Sequence, residues 1–223
     1  MIKAVVLLSG GLDSTTCLAL AASKGREIYT VSFDYGQKNR YELELARYNS
    51  MKFLVKKHLI CKLDPEFFSN SALTNPNIDV PHKQPDGNIP STYVPARNTV
   101  FLSHALALAE SIDATEIYIG VNSVDYSGYP DCRPEYIEAF QKMADRATKN
   151  LIIGKAKIEI IAPFLHSTKG EIIKTGKMNG VDYSKTLTCY SPIDDKACGK
   201  CESCQLRIKG FEEAGIPDET IYY

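Results

Sequence analysis

The sequence predicts a doubly wound α/β fold built on a five-stranded, mostly parallel β-sheet, followed by a small C-terminal metal-binding segment. Three observations lead to this prediction. Five short apolar runs alternate with segments of helical periodicity. The first run leads directly into a glycine-rich turn, and open α/β sheets place their ligands at such turns. Four closely spaced cysteines stand near the C-terminal end.

The five apolar runs are rich in residues that favour strands, and they are too short for buried helices. Because helical segments separate them, we expect the strands to run parallel in one sheet. The predicted strands cover residues 2–8, 27–33, 58–63, 116–120 and 157–162.

Apolar residues at helical spacing predict amphipathic helices between these strands. The periodic segments lie within residues 41–55, 102–112 and 137–147. Pro134 stands before the third segment and suits the first position of a helix. Thr168 and Glu171 have the spacing of a capping box, which predicts a further helix beginning there.

A long proline-rich connection interrupts this alternation. Residues 64–95 contain six of the eleven prolines in the chain. A connection of this length inside a domain is typical of a functional loop or lid, and a disordered insertion is the alternative.

The composition is that of an ordinary folded protein without a strong electrostatic field. The 223 residues are 44% hydrophobic, and 26 Lys and Arg balance 27 Asp and Glu, for a net charge of −1. Such a charge disfavours a protein that coats nucleic acid. No apolar run approaches the roughly 18 residues that span a bilayer, and no export signal is recognisable. We therefore expect a cytoplasmic protein with no nucleic-acid partner and no membrane partner.

The glycine-rich turn after the first predicted strand has the properties of an anion-binding loop. It reads Ser9-Gly10-Gly11-Leu12-Asp13-Ser14-Thr15. Glycines let the backbone approach a ligand closely, and the N–H groups at a helix N-terminus attract phosphate. Asp13 suits a divalent cation that is bound together with the phosphates. The motifs of kinase-like phosphate loops and of dinucleotide-binding folds are absent from the sequence. A structural turn before an N-capping Ser or Thr is the alternative interpretation.

The cysteine cluster predicts a structural metal site in a reducing compartment. Eight residues separate Cys189 from a C-x2-C-x2-C run formed by Cys198, Cys201 and Cys204. Four thiolates satisfy tetrahedral Zn²⁺ and leave no position for a substrate. An iron–sulfur cluster is the rival metal, although the ferredoxin-type spacing needs a further nearby cysteine that is absent here. Four inert thiols are the metal-free alternative. Cys17 and Cys61 are predicted to be core residues, and for Cys132 a packed thiol is favoured over a nucleophile.

Several polar residues are predicted to face the carboxyl ends of the strands, where a substrate would bind. Arg97 and Arg133 could each hold a carboxylate or a phosphate, and Asp131 could accept two hydrogen bonds from a guanine-like edge. Lys169 and Lys185 could reach phosphates. A surface salt bridge is the alternative for each arginine, and a solvated side chain is the alternative for each lysine.

The phosphate loop resembles the Ser-Gly-Gly-x-Asp-Ser motif of the adenine-nucleotide α-hydrolase, or PP-loop, superfamily, whose members cleave ATP to AMP and pyrophosphate. Further motifs resemble more specifically the 7-cyano-7-deazaguanine synthase family of queuosine biosynthesis. They are Phe33-Asp34-Tyr35-Gly36-Gln37, residues 94–98, Ser127-Gly128-Tyr129-Pro130-Asp131-Cys132-Arg133, and Lys185-Thr186-Leu187-Thr188-Cys189-Tyr190, together with the spacing of the cysteines. This resemblance covers nearly the whole chain.

The resemblance implies a Rossmann-like ATP-binding domain over residues 1–185 and a zinc-binding segment over residues 186–223. It implies ATP contacts from Leu8, Ser9, Gly10, Gly11, Leu12, Asp13, Ser14, Thr15, Thr16, Cys17 and Leu18, and zinc ligation by Cys189, Cys198, Cys201 and Cys204. The catalytic candidates are Asp13, Arg97 and Lys169, and the substrate candidates are Arg97, Asp131, Arg133 and Lys185. Mg²⁺ would accompany ATP, and the chain would form a homodimer.

The activity that the resemblance implies is an ATP-dependent ligation. It would convert 7-carboxy-7-deazaguanine and ammonia to 7-cyano-7-deazaguanine through adenylated intermediates. Two other functions fit the loop: a tRNA-modifying adenylase, and a zinc-stabilised module that binds ATP without turnover. The near-neutral charge and the absence of an RNA-binding appendage disfavour the tRNA enzyme.

Overall fold

A computed structural model describes residues 1–82, 89–122 and 128–223. The elements follow the order that the sequence predicts. Strands are β1 (Lys3–Leu7), β2 (Glu27–Asp34), β3 (Lys57–Lys62), β4 (Glu116–Tyr118) and β5 (Glu159–Ile161). Helices are α1 (Leu12–Ser23), α2 (Glu42–Lys52), α3 (Arg97–Ser111), α4 (Pro134–Ala147), α5 (Lys149–Ile152), α6 (Lys169–Met178) and α7 (Glu202–Ala214).

The five strands form one sheet in the order β3-β2-β1-β4-β5, and every strand pair in the described residues is parallel. Chain order reverses between β1 and β4. In an open α/β sheet, the crevice at the carboxyl ends of such neighbouring strands is the expected ligand site. The doubly wound prediction is therefore confirmed.

Alternate residues of β1 enter two different cores. Val5 and Leu7 pack with α3 and α4 on one face of the sheet. Ala4 and Val6 pack with α1, α2, α6 and α7 on the other face. Because side chains of a strand alternate in direction, a strand segment buried on both faces is apolar at every position, as Ala4 to Leu7 of β1 are.

Helix ends confirm two predictions and correct a third. Pro134 occupies the first turn of α4, and Thr168 and Glu171 form both hydrogen bonds of a capping box at α6. The predicted helix across residues 41–55, however, ends at Lys52. Leu54 has a φ of 52° and is 89% exposed, so it does not belong to the apolar face. The predicted fourth and fifth strands are also longer than the observed ones.

The described parts of the proline-rich connection pack against the domain. A short 3-10 helix spans Pro65–Phe68, and Phe68, Leu73 and Val94 are buried in the core. The Ala72 amide donates to the Ser91 carbonyl oxygen at 2.8 Å, which ties the two ends of the loop together. The tip, residues 83–88, lies outside the described residues, and the lid role stays a prediction.

The C-terminal segment is joined to the sheet through α7. Phe211 of α7 is buried in the same core as Ile172 and Ile173 of α6. The division of the chain at residue 185 therefore stays a prediction. No helix in the parts of the chain that the structure describes is both long and apolar enough to cross a bilayer.

Candidate active site

A cleft of about 260 Å³ opens at the carboxyl ends of the strands, near the point where β1 and β4 diverge. Its walls come from the phosphate loop, from the ends of β2 and α3, and from the segment before the cysteine cluster. Aromatic side chains line part of the cleft, and polar side chains gather at the phosphate loop and at the N-termini of α2 and α3. One concave site therefore contains the three catalytic candidates, Asp13, Arg97 and Lys169.

Serine hydroxyls hold the phosphate loop in a fixed shape. The Ser14 hydroxyl accepts from the Ser9 amide at 3.1 Å and donates to the Gly11 carbonyl oxygen at 3.2 Å. The Ser9 hydroxyl accepts from the Gly11 amide at 3.2 Å and lies 3.0 Å from the Ser14 hydroxyl. No side chain caps α1, so the first N–H groups of that helix are available to an anion.

Gly10 supports this loop from behind. Its φ is +87°, and a Cβ built there would lie 2.1 Å from the Glu42 carbonyl oxygen at the start of α2. Only glycine accommodates both the left-handed backbone and the close approach of α2. The two glycines thus have different roles, because Gly11 lines the cleft and Gly10 packs the loop against α2.

The residues predicted to contact ATP divide into two groups. Leu8, Ser9, Gly11, Leu12, Asp13 and Ser14 line the cleft. Gly10, Thr15, Thr16, Cys17 and Leu18 do not. Thr16 instead bonds to the Leu12 carbonyl oxygen and to the Tyr183 hydroxyl, each at 2.8 Å, and Cys17 and Leu18 are fully buried in the core. Burial raises the pKa of the Cys17 thiol well above its ordinary value. An ATP contact by this second group stays a prediction.

Asp13 and Lys169 form an ion pair in the cleft. The Lys169 Nζ lies 2.7 Å from one Asp13 carboxylate oxygen and 3.0 Å from the other. Asn122, which is fully buried after β4, donates to Asp13 at 3.3 Å. Both charged residues were predictable from the sequence, but their pairing and the position of Asn122 were not. Asn122 belongs to no recognisable motif, and only its position after the end of a strand could have indicated that it lies in the site.

Polar side chains gather in the cleft at the N-termini of α2 and α3. The Gln37 side chain is held at both ends, because its Oε1 accepts from the Tyr35 amide at 2.9 Å and its Nε2 donates to the Phe33 carbonyl oxygen at 2.8 Å. The same Nε2 donates to a Glu42 carboxylate oxygen at 3.0 Å. Arg97 stands nearby at the start of α3 and bonds to the Tyr35 hydroxyl.

Glu42 has an altered acidity in this part of the cleft. Burial raises the pKa of its carboxyl group to about 7, and the hydrogen bond from Gln37 and the charge of Arg97 offset only part of that rise. Glu42 is not among the residues predicted from the sequence. Its position shortly after the Tyr35-Gly36-Gln37 motif could have indicated a role in the site, but a glutamate in the first turn of a helix usually interacts with the helix dipole.

Asp131 orders the start of α3. One of its carboxylate oxygens accepts from the Asn98 amide at 2.9 Å, and the Asn98 side chain donates to the Asp131 carbonyl oxygen at 3.0 Å. Asn98 also bonds to the Cys132 thiol at 3.2 Å. Asp131 lines the cleft, but the predicted two-bond recognition of a guanine-like edge would compete with its bond to α3. Cys132 is buried, which favours the packed thiol over the nucleophile.

Arg133 and Lys185 are placed away from the cleft. Arg133 is the exposed residue before α4 and borders a shallow hollow beside Pro134 and Tyr136. Lys185 is exposed, with its Nζ 5.9 Å from the centre of the Tyr48 ring. Their substrate roles stay predictions that the geometry of the cleft does not support. Ser127, the first residue of the motif before Arg133, lies outside the described residues.

The four clustered cysteines fit a tetrahedral metal site. The Sγ atoms of Cys189, Cys198, Cys201 and Cys204 all lie within 4.8 Å of one another. A Zn–S bond of about 2.3 Å requires sulfur atoms roughly 3.8 Å apart, so a small contraction of the cluster would close the site.

The cysteine cluster adjoins the cleft. The backbone amides of Lys200 and Cys201 donate to the Cys198 sulfur at 3.4 and 3.2 Å, which is typical of a cysteine turn that holds a metal. Cys189 and the following Tyr190 line the cleft, and the Tyr190 hydroxyl lies 3.4 Å from that of Tyr129. A closed metal site here would fix one wall of the cleft.

Comparison with known proteins gives consistent results. Residues 3–215 match the family described as queuosine biosynthesis protein QueC. The chain is 57% identical to the 7-cyano-7-deazaguanine synthase of Saccharophagus degradans, over 99% of this chain and 97% of that protein. It is 55% identical to the protein of the same name from Hydrogenovibrio crunogenus, over 99% of this chain and 95% of the relative.

Solved structures share the fold at low sequence identity. An NMN synthetase from Francisella tularensis has a TM-score of 0.53 and 15% identity, covering 96% of this chain and 78% of its own. A predicted tRNA methyltransferase subunit from Methanocaldococcus jannaschii has a TM-score of 0.50 and 20% identity, covering 80% of this chain and 76% of its own. The full-length match and the high identities settle the family: this chain belongs to the QueC family of queuosine biosynthesis proteins.

Proposed function

We propose that this protein is a 7-cyano-7-deazaguanine synthase, an ATP-dependent ligase that converts 7-carboxy-7-deazaguanine and ammonia to the nitrile. The observation that carries the proposal is identity above 50% to several proteins of that name over nearly their full length. The cleft supports it, because a phosphate loop and an arginine share one site.

The first chemical step activates the carboxylate. One carboxylate oxygen attacks the α-phosphorus of ATP, the bond to the β-phosphate breaks, and pyrophosphate leaves with the electron pair. The uncapped N–H groups of α1 and the N–H groups of the phosphate loop are positioned to stabilise the charge that develops on pyrophosphate. Arg97 supplies a planar cation for the substrate carboxylate.

The next steps make the nitrile. Ammonia attacks the acyl carbon, AMP leaves, and an amide forms. A second ATP adenylates the amide oxygen, and loss of AMP and of the remaining N–H protons yields the nitrile. Both activations need the same loop, so the amide stays bound between them. The aromatic walls of the cleft suit a planar heterocycle and exclude water from the reactive intermediates.

Two metal ions belong to this proposal. Zinc would be held by the four clustered cysteines and would have a structural role. Mg²⁺ would accompany ATP and would neutralise part of the charge on the phosphates. Asp13, the carboxylate of the phosphate loop, would be its protein ligand. Because Lys169 already neutralises Asp13, Lys169 would release that carboxylate when the metal binds. A homodimer in the cytoplasm completes the proposal.

The test is a reconstituted reaction. Purified protein is incubated with 7-carboxy-7-deazaguanine, ammonium and Mg-ATP, and the deazapurine mass and the adenine nucleotides are followed together. We expect nitrile with two AMP formed per product. Formation of ADP would contradict the adenylation mechanism, and no turnover by zinc-loaded, folded protein would contradict the assigned substrate.

A further inference from the structure

One buried acceptor in the cleft has no hydrogen-bond donor among the residues that the structure describes. Asn39 lies in the loop between β2 and α2, is only 7% exposed and lines the cleft. Its side-chain oxygen is buried, and no described residue donates a hydrogen bond to it. A buried carbonyl oxygen without a donor is unfavourable, so such an atom indicates a ligand that donates.

Glu42 adds a second acceptor three residues further along. Gln37 engages one of its carboxylate oxygens, and no hydrogen bond to the other is found among the described residues. Because both ends of Gln37 are held by backbone groups, the carboxylate is oriented by a rigid partner. Glu42 therefore presents an oriented oxygen at the wall of the cleft, close to the phosphate loop that its own backbone contacts.

The ligand that fits these atoms is a small cation with several N–H donors. Asn39 and Glu42 both offer oxygens, which excludes an anion. The charged and titratable groups that act on Glu42 are Arg97 from α3 and Tyr35 from the end of β2. Since Arg97 is the group proposed to hold the substrate carboxylate, a donor bound at Glu42 would stand beside the carboxyl carbon.

We propose that Asn39 and Glu42 form an ammonium-binding site in the cleft, and that Glu42 accepts the proton that ammonium must lose before it attacks. This inference rests on the proposed function, because it assigns the binding of the nitrogen substrate. Ammonium is protonated near neutral pH and has no lone pair for attack. A carboxylate whose pKa lies close to the working pH is suited to remove that proton.

Protons and charge are conserved in this step. One N–H bond of ammonium breaks, and its proton moves to the Glu42 oxygen. The nitrogen lone pair then forms the new C–N bond at the acyl adenylate, and the C–O bond to AMP breaks with its electron pair. A second proton leaves the nitrogen for water, which yields the neutral amide. Glu42 returns its proton to water before the next cycle.

The recognition of a guanine-like edge is the competing role for these acceptors, because carboxylates also bind ring and amino N–H groups. The position beside Arg97 favours ammonium. The group beside the 7-carboxylate on the deazapurine is O6, an acceptor, and the N1–H and 2-amino donors of the guanine-like edge lie further round the ring, so acceptors next to the carboxylate anchor do not face those donors.

The experiment compares two nucleophiles in the Glu42→Gln variant. Hydroxylamine is already neutral near pH 7 and needs no base before attack, whereas ammonium does. We expect the variant to lose about 100-fold or more in rate with ammonium and to form hydroxamate at close to the wild-type rate. Substrate-dependent exchange of pyrophosphate into ATP should be unchanged, which verifies folding and adenylation. Glu44→Gln, on the same helix, should match the wild type in all three assays.

The Asn39→Ala variant provides an independent test. Removing an acceptor to which no described residue donates should leave stability unchanged and raise the KM for ammonium about tenfold, while the KM for the deazapurine is unaffected. Wild-type ammonium kinetics in Glu42→Gln, or equal losses with both nucleophiles, would overturn the proposal. A raised KM for the deazapurine in both variants would assign the site to the guanine-like edge. Absence of nitrile in the wild-type protein would instead contradict the proposed function.

Discussion

Replacement of Gly10 by alanine tests how the phosphate loop is supported. The new Cβ would lie 2.1 Å from the Glu42 carbonyl oxygen and 2.9 Å from the Ala46 amide nitrogen, both of which are backbone atoms of α2. Neither atom can move as a flexible side chain would. The loop and the helix must therefore separate by about 1 Å to restore ordinary contact.

Two contributions determine the size of the effect. An alanine at a φ of +87° carries a left-handed penalty of about 1–2 kcal/mol, and forced separation of packed elements adds about 1–3 kcal/mol. The sum is about 2–5 kcal/mol. For a chain of 223 residues, this lowers the melting temperature by roughly 4–20 °C. A displaced loop should also weaken the use of ATP by at least about tenfold.

Thermal unfolding and the KM for ATP are the two measurements, and Gly11→Ala is the matched control for thermal unfolding. At Gly11 the φ is −79°, and the nearest neighbour of a new Cβ is the Ser9 side-chain oxygen at 3.3 Å. We expect the control to lose much less stability than Gly10→Ala. Equal melting temperatures for Gly10→Ala and the wild type would refute the reasoning, since they would mean that α2 does not pack against the loop as described.

Three further predictions concern the metal cluster, a buried ion pair and the pH dependence of stability. Cys201→Ser should remove bound zinc and lower the melting temperature, whereas the control Cys61→Ser should retain the metal. An unchanged metal content in Cys201→Ser would contradict the four-cysteine site. Arg207 is buried and contacts Asp218 at 3.1 Å, so Arg207→Met should leave Asp218 unpaired and lower the free energy of unfolding by about 3–5 kcal/mol. Chemical denaturation measures this change, and a loss below about 1 kcal/mol would contradict a stabilising ion pair. Burial raises the pKa of Glu42 from 4.5 to about 7, so the native state binds the proton more tightly and loses stability as pH rises through that window. The stability of Glu42→Gln relative to the wild type should therefore increase between about pH 4.5 and 7, and a flat difference would show that Glu42 is not perturbed.

The order of the elements was predictable because local patterns determine it. β1 is apolar from Ala4 to Leu7 because both of its faces are buried there, and helix starts such as Pro134 and Thr168 are specified by residues within one turn. The phosphate loop and the cysteine cluster were also predictable from the sequence, because each depends on residues that are close along the chain. Helix ends were less predictable, as the exposed Leu54 shows.

The pairing of distant groups depended on the tertiary structure. Asp13 and Lys169 are 156 residues apart in the chain and meet only because α1 and α6 pack on the same face of the sheet. Burial raises the pKa of Glu42, and Gln37 and Arg97 offset only part of that rise, a balance that no local pattern encodes. Arg133 and Lys185 have suitable chemistry in the sequence, yet the fold leaves both exposed and away from the cleft. The sequence by itself determined the family, the elements and the two local motifs, whereas packing decided which charges meet, because contact between distant residues depends on how helices are placed on the sheet.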